Sequence, residues 1–127
     1  MPSFSTEQHI ELAHSRDLDE RQSLRFELEV KGGHILPCFM VRKDGVVHGF
    51  VNRCMHWPVS LDTETGDFWD YDEQYLQCKV HGALYELSGL CIAGPCTGDR
   101  LVKLPVFEDG GKIFLDPELL PSNIDEA

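Results

Sequence analysis

Two short boxes carry the residues best suited to inorganic chemistry. Cys54-Met55-His56 places a thiol and an imidazole two residues apart, and Cys78-Lys79-Val80-His81 places them three apart. In an extended loop, residues i and i+2 point the same way, and the three-residue step suits a tight loop folding over a metal. Two Cys and two His can hold one tetrahedral zinc. They can equally hold a [2Fe–2S] cluster, with both thiolates on one iron and both imidazoles on the other. Zinc sites usually group Cys with Cys and His with His at short spacing. Here each box mixes one of each, which is what a two-metal centre needs if each loop is to touch both metals.

Strands must position these boxes. Leu24, Phe26, Leu28 and Val30 alternate with charged residues, the pattern of a half-buried antiparallel strand. Gly32-Gly33 ends it. Ile35–Val41 reads as a second strand, near a sheet edge because Pro37 cannot donate to a ladder. Lys43-Asp44-Gly45 is a hairpin turn, and Val46–Val51 returns from it straight into Cys54. Tyr75–Leu76 leads into the second box. Short segments at Ala83–Leu87 and Leu90–Ile92, a strand over Leu101–Phe107 that includes Pro105, and a hairpin through Asp109-Gly110-Gly111 to Ile113–Leu115 follow. The pattern predicts an all-β domain. Residues 5–15 read as one or two helical turns with Ser5 as cap, and Asp116–Ala127, with two Pro and four acids, as loosely ordered.

The chain has 127 residues, the size of a single domain. Its 22 acids against 11 Lys and Arg give a net charge of −11, which disfavours nucleic acid and suits docking to a basic protein surface. The N-terminal residues contain no apolar signal-peptide core, and no run approaches a membrane span, so a cytoplasmic, soluble monomer is expected. Five Cys, an odd number, argue against a disulfide framework and for metal binding.

With the two boxes and the Gly94-Pro95 loop in view, the chain resembles a Rieske-type ferredoxin over roughly residues 24–115. The resemblance includes Ala83, Tyr85, Gly89 and Leu101–Val106. It implies a fold of three antiparallel sheets, with a cluster-binding subdomain at about 52–98 inserted in a β base at about 22–51 and 99–115. It implies a [2Fe–2S] cluster of the Cys2His2 type. Cys54 and Cys78 would hold the buried iron, and His56 and His81 the outer one. Replacing two thiolates by neutral imidazoles makes the cluster less negative and raises its potential above that of all-Cys clusters. High-potential members carry a disulfide-forming Cys in each box and a Ser two residues after the second His. This chain has Val59, Val80 and Ala83 in those places. It keeps Tyr85, the family's donor to a ligating sulfur. Fewer donors imply a potential toward the lower end of the roughly −150 to +300 mV Rieske window.

The spacer between the boxes is longer than the family's usual one, with the extra length near Thr63–Glu73. Asp62, Glu64, Asp67, Asp70, Asp72 and Glu73 alternate there with Phe68, Trp69 and Tyr71. One reading is a solvated loop whose aromatics pack on the base. The other is a docking surface with aromatic anchors and acids for steering. Cys91 and Cys96 read as reduced loop residues, Cys38 as a small core side chain, and His9, His14, His34 and His48 as surface or core histidines. Trp57-Pro58 and Gly94-Pro95 read as cover for the cluster.

These features predict a one-electron carrier between a flavin-dependent reductase and a terminal oxygenase or similar enzyme, with no catalytic residues of its own. A full oxygenase is expected to be excluded by length, which leaves no room for a catalytic domain. Two alternatives remain at this stage: a Rieske-like small subunit of a larger reductase, and a non-redox interaction module built on structural zinc.

Overall fold

Residues 35–41 are apolar on both sides of the strand, and the fold explains why. The computed structural model describes residues 9–29, 33–53, 68–72, 74–79, 82–94 and 97–120. Its strands are β1 (Ile10–His14), β2 (Ser23–Glu29), β3 (Ile35–Lys43), β4 (Val46–Val51), β5 (Leu76–Gln77), β6 (Leu84–Tyr85), β7 (Cys91–Ala93), β8 (Lys103–Leu104), β9 (Val106–Asp109) and β10 (Lys112–Leu115). They form three antiparallel sheets in the orders β1-β10-β9, β2-β3-β4-β8 and β5-β6-β7. The four-stranded sheet is covered by buried core on both faces. Phe39, Val41 and Phe50 point into a core shared with Leu76, Cys78, Tyr85 and Cys91. Leu36, Cys38, Met40, Val47 and Val51 point the other way, into cores shared with Ile113 and Leu115. A strand buried on both faces reads as a continuous apolar run.

Pro37 therefore does not mark an edge strand, as its sequence suggests: β3 lies inside its sheet, paired with β2 and β4. The missing N–H costs nothing because it falls where the β3–β4 ladder stops. That ladder's last pair is Cys38 with Val51, and the Pro37 carbonyl accepts one further bond from the Asn52 N–H at 2.7 Å. The β3–β4 turn has φ 54° at Asp44 and 79° at Gly45, the two left-handed residues of a type I′ hairpin. Both of its N–H groups donate to the Glu20 carboxylate, at 2.5 and 3.0 Å, and these bonds hold that carboxyl below its ordinary range.

Three further expectations are corrected. Residues 10–14 form strand β1 against β10, not helix; the edge of β10 supplies ladder partners that one or two isolated helical turns lack. The single strand expected over Leu101–Phe107 is two, because Pro105 interrupts the ladder and passes the chain from the four-stranded sheet (β8) to the first sheet (β9). Asp116 starts an ordered 3-10 turn, Pro117–Leu119, and its side chain accepts from the Glu118 N–H; residues 121–127 lie outside the described residues. The first sheet packs closely on the four-stranded one at Gly49, where a Cβ would lie 2.9 Å from a Val106 methyl.

Candidate metal centre

Strand β4 delivers the first box. Val51 N–H donates to Val102 O at 2.9 Å, and Asn52, 1% exposed, is the buried polar side chain among the described residues. Cys54 and His56 follow, and both lie outside the described residues, as does His81. Strand β5 delivers the second box, and Cys78 is fully buried at its end. The turn after it is closed twice: Cys78 N–H donates to Ala83 O at 2.9 Å, and Gly82 N–H to Cys78 O at 2.8 Å. Gly82 sits at φ 77°, in the region that favours glycine.

A third segment meets this turn. Strand β7 runs into Gly94, at φ 98°, where a Cβ would stand 2.7 Å from the Ala83 Cα. Two backbones thus touch with no side chain between them, over a floor of Cys78, Ala83, Tyr85 and Cys91, each at most 1% exposed. A buried thiol on a tight loop, walled by a second loop at backbone contact, fits a compact inorganic group with a thiolate ligand. Among the described residues, no three His, Cys, Asp or Glu converge as a metal site; three of the four sequence-predicted ligands lie outside the described residues.

The described cysteines occupy two environments, and none is in a disulfide. Cys38 faces away from the second box, in the core against the first sheet. Burial pushes its thiol up to about 12, so it stays protonated at neutral pH and is a core side chain. Cys91 lies beside Cys78 in the same core, its Sγ donating to Ala93 O at 3.3 Å; Cys96 lies outside the described residues. His48 is half-buried at 3.2 Å from the Lys103 Nζ; burial first, then Lys103 and Lys43, lower its pKa. His9 packs edge-on against Phe107, far from ligand duty.

The aromatic run of the spacer divides. Phe68 and Trp69 are core: Phe68 stacks on Phe39 at 3.9 Å between centroids, and Phe39 on Phe50 at 5.4 Å. Residues 68–72 and 74–77 form a short arm in which Trp69 bridges Leu76 and Gln77 N–H donates to Phe68 O at 2.9 Å. Asp70 Oδ1 fixes its tip by accepting from the N–H groups of Gln74 and Tyr75, at 2.9 and 3.2 Å. Tyr71, at that tip, is 99% exposed. Lys79, to which the sequence reading gave no role, donates from Nζ to Trp69 O and to Gln77 Oε1, tying the second box to the arm. Its place inside the box was the available signal.

A family model for the Rieske [2Fe-2S] domain matches residues 8–108. The chain belongs to the Rieske [2Fe–2S] domain family. The three antiparallel sheets are those of a Rieske domain, and the cofactor of the family is the Rieske cluster. No curated protein matches the sequence. Solved structures do. The terminal oxygenase of carbazole 1,9a-dioxygenase from Novosphingobium sp. KA1 is 25% identical with a TM-score of 0.71, over 85% of this chain and 29% of the oxygenase. This Rieske domain thus spans less than a third of that protein. The ferredoxin of carbazole 1,9a-dioxygenase from Nocardioides aromaticivorans IC177 is 21% identical with a TM-score of 0.66, over 87% of this chain and 98% of its own. A complex of reduced oxygenase and oxidized ferredoxin of carbazole 1,9a-dioxygenase also matches, at 19% identity and a TM-score of 0.67, over 86% of this chain and 93% of that one. No described helix is long and apolar enough to cross a membrane.

Proposed function

We propose that this Rieske domain is a cytoplasmic one-electron carrier that takes electrons from a flavin-dependent reductase and passes them to a terminal oxygenase or similar redox enzyme. Cys54 and Cys78 are assigned as ligands of the inner iron, and His56 and His81 as ligands of the outer one. The burial of Cys78 in a doubly closed turn supports its assignment. The observation that carries the carrier reading is the fold likeness at whole-chain scale to a ferredoxin component, over 87% of this chain and 98% of that one. When bound, the cluster supplies reversible one-electron storage at a potential raised by its neutral imidazoles. The chain's residues supply the setting. Cys78, Ala83 and Tyr85 exclude water beneath the site, and the Gly94–Ala83 contact closes its side. The segment 52–98 acts as the cluster-binding subdomain on a base formed by 22–51 and 99–115.

A second reading has one observation in its favour, the 25% identity to a terminal oxygenase. In it the chain is the electron-accepting domain that adjoins a catalytic one. One experiment separates the two. The purified protein is reddish-brown and gives a Rieske-type EPR signal on reduction. Mixed with a flavin reductase and a separate terminal oxygenase, it restores electron flow to the oxygenase in proportion to its concentration. A protein that accepts electrons but relays none supports the second reading, and a colourless protein with stoichiometric zinc overturns both.

A further inference from the structure

Three basic side chains share one face of the four-stranded sheet. The register pairs Val41 with His48, Lys43 with Val46, and Phe50 with Lys103. Val41 and Phe50 point into the core shared with Tyr85, so Lys43, His48 and Lys103 continue that face. Lys43 on β3 and Lys103 on β8 are the diagonal neighbours of His48 on β4, within reach of long side chains. Lys103 Nζ lies 3.2 Å from His48 Nδ1, and both ammonium groups, after burial, lower the His48 pKa. Each lysine is also held by a carbonyl from a segment that covers this face. Lys43 Nζ donates to Gln74 O on the arm at 3.2 Å, and Lys103 Nζ to Leu87 O in the β6–β7 turn at 2.9 Å. Acids outnumber Lys and Arg by 22 to 11 in the chain, yet no described carboxylate pairs with Lys43, His48 or Lys103. Like charges side by side weaken a sheet, so this grouping serves something other than the fold.

We propose that Lys43, His48 and Lys103 form a binding site for a dianionic phosphate, as a monoester or as the free ion. An ammonium has three donors and no acceptor. Lys43 uses one on Gln74, and Lys103 uses one on Leu87 and one on His48. His48 Nδ1 therefore accepts, which leaves its proton on Nε2 as a further donor. Two ammonium charges match the charge of about −1.5 to −2 that a phosphate monoester carries near pH 7; a carboxylate supplies only one. Val46, opposite Lys43 and 54% exposed, offers apolar surface to the organic part of a monoester. A phosphate held by both lysines pins the arm and the β6–β7 turn to the sheet through one ligand. The site uses no residue of the two boxes, so it stands apart from the electron-carrier reading.

The test is a titration of the purified holoprotein with phenyl phosphate, inorganic phosphate and acetate at constant ionic strength. It is followed by the His48 ring resonances and by the thermal midpoint, which a bound ligand raises. Both phosphates should saturate, and acetate should have little effect. Tighter binding of phenyl phosphate assigns the site to monoesters, and equal binding assigns it to the free ion. Lys43→Gln and Lys103→Gln should each weaken phosphate binding by about tenfold. Lys112→Gln, which removes an equal charge on β10, should leave it unchanged. Lys43→Gln keeps a donor for the Gln74 carbonyl, so it decides alone should Lys103→Gln fail to fold. Absence of saturation by either phosphate overturns the proposal. So does equal weakening by Lys112→Gln, which makes net charge the cause. Acetate binding as tightly as phosphate overturns it too, and assigns the cluster to carboxylates such as those of an acidic protein surface.

Discussion

Arg42 shows how much one side chain can organise away from the metal centre. It joins β3 to β9 through a two-pronged contact with Glu108, at 2.7 and 2.8 Å, and donates to the carbonyls of Leu18, Ser15 and Gly45. The Arg42 hydrogen bond holds the Glu108 carboxyl below its ordinary value of 4.5 against the opposing effect of burial, with lesser help from Ser15 and from the guanidinium charge. A depressed carboxylate contributes stability above its unfolded pKa, and the contribution is lost as pH falls through the folded one. Arg42→Ala should therefore cost about 2–3 kcal/mol at neutral pH. Glu108→Gln should also lose stability there, but its deficit should shrink as pH falls below 4.5. Urea unfolding across that range checks both: a deficit independent of pH would mean the pair does not act through its charge. The sequence does not reveal this hub, because its carbonyl acceptors come from distant segments and any residue offers one. Cys38 was legible as a small core side chain because it stands in a strand pattern, and the structure buries it.

At the scale of elements, the strands that alternate were readable, and those that owe their place to long-range pairing were not. The alternation at Leu24, Phe26 and Leu28 survives as β2, and the Asp44-Gly45 turn as a type I′ hairpin. Strand β1 has no comparable local signal; β10 makes it a strand. Prolines misled twice, since Pro37 shows only that a donor is missing, and Pro105 only that a ladder breaks. Whether an edge, a ladder end or a change of sheet absorbs the loss is decided by the partner strand. Gly94 was readable as a loop glycine, but the reason for it is structural: left-handed φ and a backbone neighbour at 2.7 Å from any Cβ. Gly94→Ala should therefore lower thermal stability by about 1–3 kcal/mol, from strain at positive φ plus the forced separation of the two loops. It should also reduce cluster loading, read as iron per protein, whereas Gly98→Ala, at φ 96° with nothing within 4 Å, should carry only the backbone strain. Equal loading in the two variants would show that the contact with Ala83 does not shape the site.

At the scale of the whole molecule, the charge of −11 acts on encounters, not on fold. The described arm narrows where that charge meets an anchor. Phe68 and Trp69 are committed to the core, which leaves Tyr71, 99% exposed on a tip fixed by Asp70, as the aromatic free to touch a partner. The arm is tied to the second box through Lys79, so a partner held there stands beside the turn that carries Cys78. Acids that steer a basic partner raise the association rate at low salt, and salt screens the effect over a Debye length of about 10 Å at 0.1 M. The variant that isolates steering is Glu64→Gln with Asp67→Asn and Asp72→Asn, which spares Asp70 because Asp70 holds the tip. Its second-order rate of electron transfer to a basic-faced partner should fall several-fold at low ionic strength and lose most of its salt dependence. Tyr71→Ala should instead leave the salt slope intact and raise the dissociation rate, with no cost in stability, since its side chain packs against nothing that folding requires. Stopped-flow kinetics over a range of ionic strength distinguishes the two. If neither variant departs from wild type, the arm is a packed surface element and partners approach the cluster from another side.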